Sequence, residues 1–202
     1  MGENVNAPKD EYNLVYTVFL LYGIAVLQPW NAVLSGFDFF METMPTHKPI
    51  TIYPFAVHFL IVFGMMYVVI RGPKSGSYNF RITLSYVVSA IILLMIPFLA
   101  EVGDTAGFWL VLTALVIFGW FAGLGQGAVY ALAGGMPFKY IAAIMLGQGI
   151  SGIFSNVLRT ITLCVFPDDT RLSAILFFSV SAAFTLLTAL AYCLVLQKNK
   201  CF

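Results

Sequence analysis

Residues 119–162 read GWFAGLGQGAVYALAGGMPFKYIAAIMLGQGISGIFSNVLRTIT, two apolar helices joined by a tight turn that carries a single lysine. Small residues recur at every fourth place in the first helix, at Gly119, Gly123, Gly127, Ala131 and Gly135. The second helix repeats the device with Ala143, Gly147, Ser151 and Ser155. In lipid, helices gain little from hydrophobicity alone, and small-xxx-small ridges let two backbones approach closely enough to pack. Two amides, Gln126 and Gln148, and one full charge, Arg159, sit within these ridges. Polar groups at membrane depth are costly and mark either a helix contact or a pathway.

The rest of the chain agrees with a membrane setting. The 202 residues are 60% hydrophobic and 9% charged, which excludes a soluble globular domain with most of its surface in water. Ten basic against nine acidic residues give no case for nucleic acid. The three cysteines (Cys164, Cys193, Cys201) have no paired spacing and the histidines are only His47 and His58, so neither a metal site nor a cofactor is expected.

A crossing needs roughly twenty apolar residues. Six segments qualify, at 13–39, 52–70, 82–100, 106–133, 140–166 and 172–196, leaving 1–12 and 197–202 as polar tails. The polar/apolar alternation of a barrel strand is absent, so the spans are helices and the fold class is an all-α polytopic membrane protein. Lys9, Arg71, Lys74, Arg81, Lys139, Lys198 and Lys200 fall on one side, against Lys48 and Arg171 on the other. The positive-inside rule therefore predicts that both termini are cytoplasmic.

Within the spans, Gln28-Pro29-Trp30-Asn31 predicts a kink, because Pro29 lacks an N–H and crowds the preceding turn. Trp30 reads either as an interfacial anchor or as an indole platform facing a cavity. His58, alone in an apolar helix, reads as bonded to a neighbour rather than as a ligand. Arg159 lies seven residues from the outer end of span five, within reach of Asp38, Glu101 or Asp104, and is expected to anchor the helix rather than line a path. Gly149-Ile150-Ser151-Gly152 matches the GxSG of rhomboid proteases. A serine nucleophile needs a base, and no histidine follows His58, so an enzyme is not expected.

Three strings in order, Pro29-Trp30-Asn31, Gly125-Gln126-Gly127 with Ala133-Gly134-Gly135-Met136-Pro137, and Gly147-Gln148-Gly149-Ile150-Ser151-Gly152, resemble the equilibrative nucleoside transporter family. Arg81 with Ser85-Tyr86 is similar to a looser pattern at its third span. Family members have eleven spans in a fold related to the major facilitator superfamily, and the resemblance implies that these six form its N-terminal bundle. It also implies a substrate: a nucleoside or nucleobase, carried by alternating access. Trp30 would contact the base, with Leu27 and Leu34 one turn away on the same face. Gln126 would hydrogen-bond the base edge, since an amide both donates and accepts without the desolvation cost of a charge. Pro29 and Asn31 would brace a gate, and Gly147, Gln148 and Gly152 would hold span five against its neighbours.

The family's second half carries an Asp and Arg pair that bonds the nucleoside, and nothing here matches it. A single bundle offers only one wall of such a site, so the chain is expected to be a truncated N-terminal half with no transport of its own, the alternatives being completion by a separate second half or by another copy of itself. The other reading is a six-span structural or partner-binding protein that keeps the fold without transporting. Membrane lipid is the one surrounding partner expected in either case, and the plasma membrane is the expected location rather than an internal one.

Overall fold

The computed structural model describes residues 13–72 and 77–195. Seven helices follow one another: α1 Leu14–Ser35, α2 Phe37–Thr43, α3 Pro49–Arg71, α4 Ser77–Ala100, α5 Asp104–Gly134, α6 Phe138–Val165 and α7 Thr170–Val195. No strand occurs among the described residues. Six segments are long and apolar enough to cross a membrane, the first (Leu14–Thr43) taking in both α1 and α2, so the chain is an all-α polytopic membrane protein. One end of the bundle gathers Asp38, Glu42, Glu101, Asp104, Asp168 and Asp169, and the other carries Arg71, Arg81 and Lys139. We call these the acidic and basic ends.

The first hydrophobic segment, expected as one run over 13–39, divides at Gly36. The Gly36 N–H still bonds back to the Ala32 carbonyl at 3.1 Å, but the chain then turns into the short α2. The reason is packing. A Cβ at Gly36 would stand 2.8 Å from the Phe178 ring, and the turn lets Phe37, Phe39 and Phe40 bury against α7 and α3. Phe40 meets Tyr53 edge-on at 5.7 Å and Phe178 at 6.1 Å. Pro29 lies inside α1, which runs on past it to Ser35.

The acidic end is tied shut by polar contacts. Arg171 Nε lies 2.5 Å from Glu101 Oε1. The Thr46 hydroxyl donates to Asp104, and His47 lies 3.2 Å from the Thr105 hydroxyl while stacking on Phe108 at 4.4 Å. Gly103 begins α5 at φ 146°, a backbone conformation that only glycine adopts without strain, and so makes the tight α4–α5 corner possible.

The principal helix contacts have an internal symmetry. Exchanging α1, α3 and α4 for α5, α6 and α7 turns the α1–α6 contact into α5–α3 and the α4–α5 contact into α7–α1, and leaves α4–α7 unchanged. Because α1 runs from the basic to the acidic end and α5 the reverse, the two triplets are inverted repeats, the arrangement nested in each half of a major-facilitator bundle. The glycines obey the same exchange. A Cβ on Gly147 would overlap the Leu20 carbonyl and come within 3.0 Å of the Gly23 Cα, while one on its equivalent Gly64 would overlap the Trp120 carbonyl and come within 3.0 Å of the Gly123 Cα. Close backbone approach is thus built twice, once per repeat.

The two ridges of residues 119–162 consequently do not pack on each other. Gly119, Gly123 and Gly127 of α5 lie against α3, and Gly147 of α6 lies against α1. The hairpin opens from its turn, where the Met136 N–H bonds to the Ala133 carbonyl at 3.0 Å and Pro137 starts α6 with φ −53°.

Candidate functional site: a polar face across α1, α5 and α6

Helix α6 divides into three faces. Tyr140, Ala143, Ile144, Gly147, Ser151, Ser155, Arg159 and Thr162 are buried in the bundle. Leu146, Ile150, Ile153, Val157 and Ile161 form an exposed apolar face suited to lipid. Between them, at steps of four, run Gln148, Gly152, Asn156 and Thr160, with Gly149 alongside; Gly149, Asn156 and Thr160 are exposed and Gln148 and Gly152 half-buried. This polar and small-residue strip is about 18 Å long at 1.5 Å per residue. Amides and hydroxyls left open at membrane depth face protein or water, because hydrocarbon offers them no partner.

A ladder of side-chain bonds joins this strip to α1 and α5. Ser155 donates to the carbonyl oxygen of the fully buried Gln28 at 3.1 Å. Asn31 Nδ2 donates to the Ser151 hydroxyl at 2.6 Å, and Ser151 donates onward to the Gln148 backbone carbonyl at 2.8 Å. Ser35 donates to Asn156 Oδ1 at 3.1 Å, closing one side of a notch of about 140 Å³ lined by Asn31, Leu34, Ser35, Gly152 and Asn156. From α5, the Tyr130 hydroxyl donates to Gln148 Oε1 at 2.9 Å. The amide nitrogens of Gln28 and Gln148 are buried without a partner among the described residues.

Arg159 points away from this face. It is 5% exposed, donates from Nη1 to Ser173 Oγ at 3.1 Å and from Nη2 to Asp38 Oδ2 at 2.5 Å, and lies 5.5 Å from the centre of the Phe177 ring. One guanidinium therefore joins α6, α2 and α7 at the acidic end. Of the three acidic partners within its expected reach, it takes Asp38; Glu101 pairs with Arg171 and Asp104 with Thr46.

Comparison with known proteins places the chain. Residues 112–201 match the family model described as Nucleoside transporter. The "Equilibrative nucleotide transporter 1" of Arabidopsis thaliana is 30% identical over 200 residues, which are 95% of this chain and 44% of that protein. The human "Equilibrative nucleoside transporter 4" is 25% identical over 93% of this chain and 36% of its own length, and the human "Equilibrative nucleoside transporter 1" is 23% identical over 92% and 48%. The chain belongs to the equilibrative nucleoside transporter family. It spans about half or less of the length of these relatives. They are transporters by name, not enzymes.

Within this nucleoside-transporter bundle, the residues singled out from the sequence occupy several settings. Trp30 is 5% exposed, its ring meeting His58 of α3 edge-on at 4.9 Å and 87°. His58 Nδ1 lies 2.9 Å from the Pro54 carbonyl, an acceptor only, so Nδ1 donates there. Leu27 is half-buried beside the α1–α5–α6 cluster of Tyr22, Val129 and Ile144, whereas Leu34 is 38% exposed in the notch with Asn31. Gln126 is half-buried on α5, and its side chain makes no hydrogen bond among the described residues. Pro29 is buried within α1. Gly147 is in backbone contact with α1, while Gly152 only borders Asn31, whose Nδ2 lies 3.9 Å from a Cβ built there. The structure thus brings Asn31, Leu34 and Gly152 together, and sets Trp30 against α3 rather than beside them.

The sequence reading passes over Ser35 and Asn156. Asn156 carries a legible signal, since it continues the Gln148–Gly152 spacing of four into an apolar stretch. Ser35 carries none, because its partner is 121 residues away.

Proposed function

We propose that this chain forms one wall of a permeation path for nucleosides or nucleobases, working by alternating access. The polar strip of α6, flanked by Asn31 and Ser35 of α1 and by Tyr130 of α5, is the observation that supports the reading. An uncharged, hydrogen-bonding solute suits such a wall, which offers amides and hydroxyls and turns the buried cation Arg159 into the bundle. Gln126, half-buried without a hydrogen-bond partner among the described residues, is the base-edge contact. Trp30 presents its indole to the base once His58 moves aside, with Leu27 and Leu34 flanking, while Pro29 and Asn31 brace the gate. Arg159 anchors α6, and Gly147, Gln148 and Gly152 hold it against its neighbours.

The opposite wall comes from a second half-transporter or another copy of this chain. The basic end faces the cytoplasm, with the tails at 1–12 and 197–202 on that side of the bundle, in the plasma membrane. Uptake of tritiated adenosine into liposomes holding the chain tests the reading. Saturable uptake lost in Gln126→Ala and Trp30→Ala is expected. Uptake no faster than in empty liposomes, with the chain inserted, overturns it in favour of a non-transporting membrane protein.

A further inference from the structure

We infer that the Arg71–Tyr67–Arg81 cluster, where α3, α4 and α5 come together at the basic end, is a binding site for the headgroup of an anionic phospholipid, apart from the permeation path. Arg71 ends α3 and Arg81 lies near the start of α4. Each guanidinium sits 5.6 Å from the centre of the same ring, that of Tyr67. Two like charges brought to one ring repel, and the face of the ring offsets only part of that. No carboxylate is at hand among the described residues, whose acidic members all gather at the opposite end. Neither arginine forms an ion pair among the described residues, and Arg81 Nη1 is buried there without a hydrogen-bond partner. Tyr67 and Arg81 each stand one turn, about 6 Å, inside the basic ends of their helices, which is headgroup depth rather than open water. A guanidinium at that depth takes two phosphate oxygens at once, and the leaflet that the basic end is proposed to face supplies such a group.

The surface below the cluster fits the rest of a lipid. Phe55, Phe59, Phe63, Tyr67 and Arg71 follow one another on α3 at steps of four, and all are exposed. Residues four apart share a helix face. Their rings meet in succession, Phe55 with Phe59 at 6.2 Å and Phe59 with Phe63 at 4.8 Å. Passing inward from the basic end, the stripe goes from cation to phenol to bare rings, the order in which a phospholipid goes from phosphate to glycerol to acyl chain. The Trp120 indole of α5, 6.0 Å from the Tyr67 ring, flanks the same place. Lys139 offers a contrast at the same end. Steps of four from it along α6 meet Ala143, Gly147 and Ser151, all buried, so an acyl chain finds no track there. A soluble anion would match the two arginines and make no use of the rings, whereas a phospholipid uses both.

Trp120 reports occupancy through quenching by lipids with brominated acyl chains. The full chain carries Trp109→Phe, which removes the exposed indole near the acidic end, while the buried Trp30 adds a constant background. In bilayers of brominated phosphatidylcholine, unbrominated phosphatidylglycerol that takes the site restores the emission. One arginine near an anionic headgroup is worth about fivefold in affinity and two about 25-fold, so about 10 mole percent phosphatidylglycerol should restore roughly three-quarters of the quenched emission. Arg71→Gln should lower the recovery to roughly a third, and Arg81→Gln is the second variant should the first not insert. Lys139→Gln should leave it at the parent value, and millimolar inorganic phosphate should change nothing. Recovery of only about a tenth in the parent, in simple proportion to the lipid added, overturns the site. So does recovery undiminished in the arginine variants, or a loss in Lys139→Gln equal to theirs, which would mean a general attraction to the basic end. Quenching brought back by inorganic phosphate would make this a site for a free anion and overturn the lipid assignment. The readout needs no transport, so it stands or falls apart from the permeation reading.

Discussion

Replacing Gly147 and Gly149 separately by alanine puts the same methyl group at two places of one Gly-Gln-Gly string with opposite surroundings. At Gly147 the new Cβ would overlap the Leu20 carbonyl oxygen and lie 2.8 Å from the Ile24 nitrogen and 3.0 Å from the Gly23 Cα. All three are backbone atoms of α1, so no side-chain rotation relieves the clash and the helices must separate. Overpacking of this kind costs about 1–3 kcal/mol, and a wholly backbone clash belongs at the upper end. At Gly149 the methyl meets nothing within 4 Å, and the gain in helix propensity is worth up to about 1 kcal/mol. The pair should therefore differ by about 2–4 kcal/mol. Thermal unfolding of the purified chain in detergent micelles reads the difference, with Gly149→Ala at or above the parent and Gly147→Ala well below it. Equal midpoints would mean that α1 and α6 do not meet at Gly147, and would refute the inverted-repeat packing with it.

Gly64→Ala, the repeat equivalent on α3, should destabilise by a similar amount, because its Cβ overlaps the Trp120 carbonyl; a midpoint unchanged from the parent contradicts this. At the acidic end the two halves of one ion pair should behave unequally. Asp38→Asn leaves the buried Arg159 guanidinium without its counter-charge and should cost about 3 kcal/mol, the low edge for a buried pair because the Asp38 side chain is 45% exposed. Arg159→Met leaves an aspartate that water can reach and should cost about 1 kcal/mol or less; the reverse order in denaturant titration refutes the reasoning. If Arg159 is an anchor, its Met variant should keep the permeant selectivity of the parent, and altered selectivity with normal insertion places Arg159 in the path instead. Tyr130→Phe removes the bond that joins α5 to Gln148 and should lower stability by about 1 kcal/mol, whereas no change in the unfolding midpoint says the bond is not formed.

The class of protein is legible in the sequence because six runs of hydropathy leave no other fold open. The small-residue ridges of residues 119–162 are equally legible as contact surfaces, but not their partners. Gly147 belongs to Gly23 and Gly123 to Gly64, and nothing local distinguishes those pairings from a closed α5–α6 hairpin. The break at Gly36 is hidden for a related reason, since Phe178 enters from a helix more than a hundred residues later. Among the site residues, Asn31 is visible within its Pro-Trp-Asn string, and Arg159 announces itself as a charge in an apolar span. Asp38 could be named only as one of three candidates, because the choice depends on where α2 turns. Lys9, Lys74, Lys198 and Lys200, which count towards the orientation, lie outside the described residues.

The division of α6 into packed, lipid-facing and polar faces is the claim on which the functional account depends. Single cysteines along α6, in the cysteine-free chain in liposomes, measure it through labelling by a water-soluble thiol reagent. The account predicts fast labelling at Gly149, Gly152, Asn156 and Thr160 and slow labelling at Leu146, Ile153, Val157 and Ile161, a rhythm of about 3.6 residues. Labelling that is uniform around the helix, or strongest at the apolar positions, would contradict it.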